Sequence, residues 1–467
     1  MNDILASVVV FFFAALGLAL VARRYTKLEQ RLLALAFGAH LLAALGQIAT
    51  AKGIYQGGDN LTYMTEGSLL ARAIELDPGR FGRLWLNVLF QRETGEALTV
   101  LGEGDATGTM VALAAGLALL FRYSLFGVSL SIAFFAFFGK LALYRVFREL
   151  LPSSTRARVS IAVLLMPSAV FWSAGIQKEA VVMGGIGPVC LGVHRLLRGR
   201  PFLGVTLFAL GAVPVALVKP YTLFALTVAV GAWIGVDRLQ ARMGGSGAVR
   251  IRPLYLVLAA ALVYGGVIAL GQLYPMYSMD NLGKDLARHQ GLGVATGGGS
   301  YYTMGDEEAM SFGKQLAFAP LAVATALFRP FPFEANNALA FGASLEALVL
   351  TIFVVQGLAR SGLRGAVTTV MSTPVLFAAI VFSLTFGMGV GLATTNFGSL
   401  SRYRMPLIPF YATAVLVLSA PKIRAAVSSV KRAPSATRPA ALSGRAVRAR
   451  VAGHARARLQ GPARGRG

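Results

Sequence analysis

The sequence predicts an all-α, polytopic integral membrane protein, and three observations carry that reading. Of its 467 residues 56% are hydrophobic and 14% charged, where an ordinary soluble domain is about a quarter charged; the mean hydropathy is +0.65. Apolar runs of roughly 17 to 25 residues recur along the chain, the length that crosses about 30 Å of hydrocarbon as a helix. The runs are continuous and do not alternate, so helices, not barrel strands, must satisfy the backbone in lipid.

In chain order the expected crossings are 5–22, 32–51, 125–146, 159–175, 180–197, 202–218, 222–237, 254–273, 338–357, 369–391 and 405–420, about 11 helices by length. The opening "MNDILASVVVFFFAALGLALVARRYTK" lacks a basic lead and a small-residue cleavage site, so it reads as a retained helix and not a signal peptide. "TGTMVALAAGLALLFRYS", 107–124, is apolar for only about a dozen residues, which predicts an interfacial or re-entrant helix left half-inserted.

Basic clusters follow alternate crossings: "RRYTKLEQR", "YRVFRELLPSSTRAR", "HRLLRGR", "DRLQARMGGSGAVRIR", "ARSGLRG" and "KIRAAVSSVKR". One register makes all of them cytoplasmic, with the N-terminus outside and the C-terminus inside. The chain then divides into a transmembrane domain, 1–421, with external segments 52–105 and 274–337, and a tail, 422–467. No acid follows Glu346, and the net charge is +24. The Arg-, Ala-, Pro- and Ser-rich tail reads as a disordered cytoplasmic extension lying on anionic lipid, not as a nucleic-acid arm. Cys190 is the one cysteine, so no disulfide framework exists and the thiol reads as packing. No repeat of fixed period is present.

Within 52–105, "NLTYMTEGSLLARAIEL" and "RLWLNVLF" have the helical spacing of interface-lying helices. Within 274–337, "GLGVATGGGSYYTMGDEEAM" reads equally as a mobile loop over a site or as a plain connector.

The external turns hold the residues that could carry chemistry. "GIYQGGDNLTYMTEG" places Asp59 and Tyr63 just past a crossing; "WSAGIQKEA" carries Lys178 and Glu179, "LVKPY" Lys219 and Tyr221, "LFRPFPFEANN" Arg329 and Glu334, and "NFGSLSRYRMPLIPF" Arg402 and Arg404. Cations placed against the positive-inside trend predict a bound anion, and the arginine fork matches phosphate oxygens. Prolines nearby break helices, and broken helices line cavities in membrane proteins. Asp59, beside Gly57 and Gly58, is the candidate general base: it could take a proton from a sugar hydroxyl while an anionic leaving group departs toward the cations. The plainer alternatives are Asp59 as a helix cap, Lys178 and Glu179 paired with other mouth residues, and Arg402 and Arg404 snorkelling to headgroups.

An acid in the first external loop, an interfacial helix after it and a late "SRYRMPLIPFYA" resemble the GT-C superfamily of polyprenyl-phosphate-sugar-dependent glycosyltransferases. "PSAVFWSAGIQKEA", "LVKPY", "LFRPFPFEANN" and "NFGSLSRYR" look like segments of bacterial envelope-glycan proteins, including Wzy-like and EpsG-like polysaccharide polymerases. The resemblance covers roughly 30–420 in layout and implies a GT-C-like arrangement of helices. It implies transfer of a sugar or glycan from a polyprenyl-phosphate or pyrophosphate donor to a glycan acceptor on the external face. Asp59 would then match the loop acid, and Arg402 and Arg404 the late basic positions that hold lipid-linked phosphate. Lys178, Lys219 and Arg329 would add phosphate contacts, and Tyr63, Glu179, Tyr221 and Glu334 would orient substrate. No cofactor is demanded. A divalent metal stays open, with Asn60 standing where the family often has a second acid. Two rivals remain. A transporter or flippase would need ionisable groups at mid-membrane depth, for which Lys140, His40 and Glu346 are the candidates; a non-catalytic assembly protein would not need cations gathered on the outer face.

Overall fold

The computed structural model describes residues 2–54, 56–92, 99–242, 317–394 and 396–421. Among these, the secondary-structure elements are helices throughout. Eight are long and apolar enough to cross a membrane: Asp3–Ala22, Lys27–Ile54, Leu125–Leu150, Lys178–Leu197, Pro201–Val218, Pro220–Arg242, Ala338–Ser372 and Pro374–Ala393. The chain is a multi-pass membrane protein. The expected crossing 254–273, most of the segment 274–337 and the tail 422–467 lie outside the described residues.

The first half runs α1 (Asn2–Ala22), α2 (Lys27–Ala49) with a π-helical turn over Thr50–Ile54, α3 (Asp59–Leu76), α4 (Pro78–Leu89), α5 (Ala106–Leu120) and α6 (Leu125–Leu150). Helix starts follow local chemistry: Thr26 and Glu29 form a reciprocal capping box on α2, Asp105 caps α5 and Ser124 caps α6, each satisfying backbone N–H groups that have no intrahelical partner. Then come α7 (Arg156–Ser160), a π-helical turn over Ile161–Leu165, α8 (Pro167–Trp172), α9 (Lys178–Leu197), α10 (Pro201–Val218) and α11 (Pro220–Arg242).

Glycines fuse α6, α9 and α10. A Cβ on Gly187 would lie 1.7 Å from the Gly139 carbonyl oxygen, and one on Gly185 would lie 2.5 Å from that of Gly211. Only bare backbone fits there, the small-residue packing that lets membrane helices approach closely. Gly139 faces Met183 and Gly184, while Glu149 further along α6 bonds His194 and Arg195, so α6 and α9 run parallel. The intervening chain must therefore return across the bundle. It does so as α7, the π turn and α8, the expected crossing 159–175, but the helix breaks at Met166 (ψ 123°) because Pro167 disfavours a helical residue before it.

Helix α5, at 15 residues, is shorter than the eight candidate spans. Thr107 in its first turn accepts a hydrogen bond from Lys178 at the head of α9, and Ser124 just beyond its end caps the head of α6. Both heads lie at the same end of a parallel pair, so α5 turns back there, in keeping with its length. The α3–α4 hairpin covers it, with Gly67 against Ala114 and Ala115 and the Trp85 indole donating to the Ala112 carbonyl at 2.7 Å.

The last third holds α12 (Ala319–Phe328), α13 (Ala338–Ser372), α14 (Pro374–Ala393), α15 (Phe397–Tyr403) and α16 (Ile408–Leu418). The basic stretch "ARSGLRG", expected as a loop, holds the non-helical break of α13 at Gly362 (φ 65°, ψ 163°), where two helices meet across a kink, a conformation that glycine adopts freely. Arginines gather at the end away from α5: Arg148 on Glu29, Arg145 and Arg195 on Glu149, and Arg158 and Arg360 both on Ser419.

Candidate functional site

Four helix ends meet at the α5 end of the bundle. Gly58 adopts φ 101° and turns the chain from α2 into α3, with open space where a Cβ would lie; only glycine takes that backbone without strain. Asp59 follows as the first residue of α3, but the helix has no side-chain cap. Its carboxylate instead accepts from Arg402 Nη2 at 2.5 Å, so the helix-cap alternative is corrected: the acid is spent on a tertiary partner. Arg402 is presented by the short helix α15, whose start Asn396 caps.

Glu179, in the first turn of α9, is fully buried. Its Oε1 accepts from Lys219 Nζ at 2.7 Å and lies 3.1 Å from Arg402 Nε, an ion-pair distance without hydrogen-bond alignment. A carboxylate at a helix N-terminus is favoured by the helix dipole. Lys219 sits between α10 and α11, where Pro220 starts a new helix. Its ammonium lies 4.9 Å from the Tyr403 ring centroid and 6.0 Å from that of Tyr221. Tyr221 in turn stacks on Phe386. Lys178 donates to Thr107 Oγ1 at 3.0 Å, within electrostatic reach of Asp59, Asp105 and Glu179. Tyr63 is buried below Asp59; burial first, and then that carboxylate, raise its pKa against the opposing pull of Arg402. Burial works against the charge on Arg402, yet Glu179 and Asp59 outweigh it and raise its pKa.

The two ion pairs differ in kind. Side-chain exposure is 0% for Glu179 and 6% for Lys219, but 38% for Asp59 and 20% for Arg402. An exposed pair contributes about 0.2–1 kcal/mol, whereas removing one partner of a buried pair costs about 3–5 kcal/mol. The cluster has a fixed floor and an openable rim.

Seven of the ten residues singled out from sequence converge here: Asp59, Tyr63, Lys178, Glu179, Lys219, Tyr221 and Arg402. Arg329 and Glu334 instead pair with each other, with Arg329 stacked 4.8 Å from the Phe397 ring centroid at the start of α15. Burial raises the Glu334 pKa, but the Arg329 hydrogen bonds and the Phe331 N–H prevail and lower it. Arg404 is 1% exposed and donates to the carbonyls of Ala326, Arg329 and Ala343. It does not snorkel; it ties α15 to α12 and α13.

Sequence reading missed an amide triad beneath the rim. Gln47 Oε1 accepts from Asn60 Nδ2 at 3.1 Å and from Gln177 Nε2 at 3.3 Å, and its own Nε2 donates to the Phe171 carbonyl at 3.0 Å. The available signal was a lone glutamine in the apolar run "LLAALGQIA". Among the described residues, the buried acceptor atoms Asn60 Oδ1, Gln177 Oε1 and Glu179 Oε2 have no hydrogen-bond partner.

Among the described residues no group of three or more His, Cys, Asp or Glu side chains could hold a metal ion. Asp59 and Glu179 each face cations. Compared with known proteins, the chain matches no family model, no curated protein and no solved structure.

Proposed function

We propose that this protein is a glycosyltransferase of the bacterial inner membrane, moving a sugar or glycan from a polyprenyl-phosphate or pyrophosphate donor to a glycan acceptor on the external face, as GT-C enzymes or Wzy-like polymerases do. The observation that supports it is the cluster itself: a solvent-reachable carboxylate, Asp59, beside Arg402, Lys219 and Lys178 at one end of a membrane bundle. In this reaction the acceptor oxygen bonds to the anomeric carbon as the carbon–oxygen bond to phosphate breaks. The bonding electrons leave with the phosphate toward Arg402 and Lys178, and the hydroxyl proton passes to Asp59. The test is transfer by purified full-length protein given defined polyprenyl-linked donors and glycan acceptors. Absence of product across both donor classes would retire the proposal.

A second reading, movement of a lipid-linked glycan across the bilayer, is favoured by one observation. Lys140 is wholly buried and donates to the Ala169 carbonyl at 2.8 Å, while Glu346 accepts from the Ser168 hydroxyl and N–H. Both meet the broken helix α8, and His40 is buried near Lys140. Ionisable groups around a broken membrane helix are a common mark of transport paths. Flux of unmodified lipid-linked glycan in proteoliposomes would select this reading over transfer.

A further inference from the structure

The proposed base is bonded to the cation that should hold the leaving group. Asp59 Oδ2 accepts from Arg402 Nη2 at 2.5 Å, so the proposed base and the proposed cation engage each other. We propose that Asp59 is a displaceable lock: a phosphate-ester oxyanion takes its place on Arg402, and the carboxylate, released, turns to the acceptor hydroxyl. This rests on the anion-binding part of the proposed function and adds an order of events to it.

Three features assign the roles. Glu179 is the anion that stays, because it is fully buried and shared by Lys219 and Arg402. Asp59 is the anion that leaves, because it lies on the exposed rim and follows Gly58, around which a Cβ would meet nothing within 4 Å. Lys178 supplies a second contact: its ammonium rests on the neutral Thr107 hydroxyl, a partner that a charged oxygen outcompetes. The ligand class is thus a phosphate or diphosphate whose oxygens reach both Arg402 and Lys178, the ends of two different helices.

The exchange makes a prediction that simple anion binding does not. Removing a competing carboxylate should strengthen anion binding, even though it removes the proposed base. Binding of radiolabelled pyrophosphate and of inorganic phosphate is measured at low salt on the detergent-solubilised full chain. Asp59→Asn should tighten pyrophosphate by up to about fivefold, the worth of an exposed pair, and Asp59→Ala should do the same. Arg402→Ala should weaken it by about tenfold or more, as loss of a charge-assisted bond does. Inorganic phosphate should follow the same order more weakly. If the variants melt early, phenylglyoxal labelling of Arg402 in the wild type, read by mass spectrometry, should fall as pyrophosphate is added. Equal or weaker binding by both Asp59 variants overturns the lock, as does wild-type affinity in Arg402→Ala or labelling that pyrophosphate leaves unchanged. Tightening in the Asp59 variants with no transfer by the wild type would retire glycosyl transfer and keep the lock; transfer by the wild type with unchanged pyrophosphate affinity in the Asp59 variants would retire the lock and keep transfer.

Discussion

Asp59 and Arg402 stand 343 positions apart in the chain and meet through a 2.5 Å hydrogen bond. That contact joins the start of α3 to α15, the short helix that precedes α16. It makes Asp59 testable, because its carboxylate has a tertiary partner and caps nothing.

For catalysis, Asp59→Asn keeps the size of the side chain and removes its basicity. Transfer should fall by about 10² to 10⁴, the range supplied by general-base catalysis, with membrane levels unchanged. Activity within a few-fold of wild type would remove Asp59 as the base.

For stability, Glu179→Gln and Lys219→Met should each lower the unfolding free energy by about 3–5 kcal/mol, since each strands a buried charge. The double variant should recover part of the loss. Arg402 still faces position 179, so recovery will be incomplete. Thermal unfolding in detergent reads all three proteins; additive losses in the double variant would contradict a coupled pair.

Arg402 and Arg404 should separate cleanly. Arg404→Ala leaves the carbonyls of Ala326, Arg329 and Ala343 without their guanidinium and should reduce folded yield, because buried acceptors that lose a donor cost about 1–3 kcal/mol each at most. Arg402→Lys should fold normally and lose activity, because an ammonium lacks the planar fork. Folded yield by size-exclusion chromatography, set beside transfer rate, distinguishes them; the reverse pattern would exchange their roles.

Orientation can be read by thiol labelling, since Cys190 is buried. Asp77 and Gly199 are exposed at opposite ends of the bundle. Asp77→Cys should react with a membrane-impermeant maleimide in intact spheroplasts, and Gly199→Cys only after permeabilisation. The opposite result would place the cluster in the cytoplasm and exclude transfer on the external face.

Helix existence was legible from hydropathy alone, as for α1, α6 and α10, because a bilayer demands an apolar run of fixed length. Helix α5 was legible as a short apolar helix for the same reason. The break at Met166 was legible too, since the proline of "LLMPSAVFW" reads as a helix breaker, although 159–175 still looks like one continuous run to hydropathy. In the site, charge against the topological trend found Lys178, Lys219 and Arg402. It could not tell them from Arg329 and Arg404, since a cation held by a nearby carboxylate or by carbonyls has the same one-dimensional signature. Gln47 was missed because its importance lies in three partners, Asn60, Gln177 and Phe171, that only the fold brings together.

The glycine seam through α6, α9 and α10 has a mechanical meaning. Backbone packed against backbone has no side-chain rotamers to yield, so these three helices behave as one stiff slab. Lys178, Glu179 and Lys219 are mounted on that slab, whereas Asp59 and Arg402 hang from α3 and α15 beside it. Any widening that admits a long substrate must therefore swing α3 or α15 away from the slab, and the Asp59–Arg402 contact is the latch across that gap.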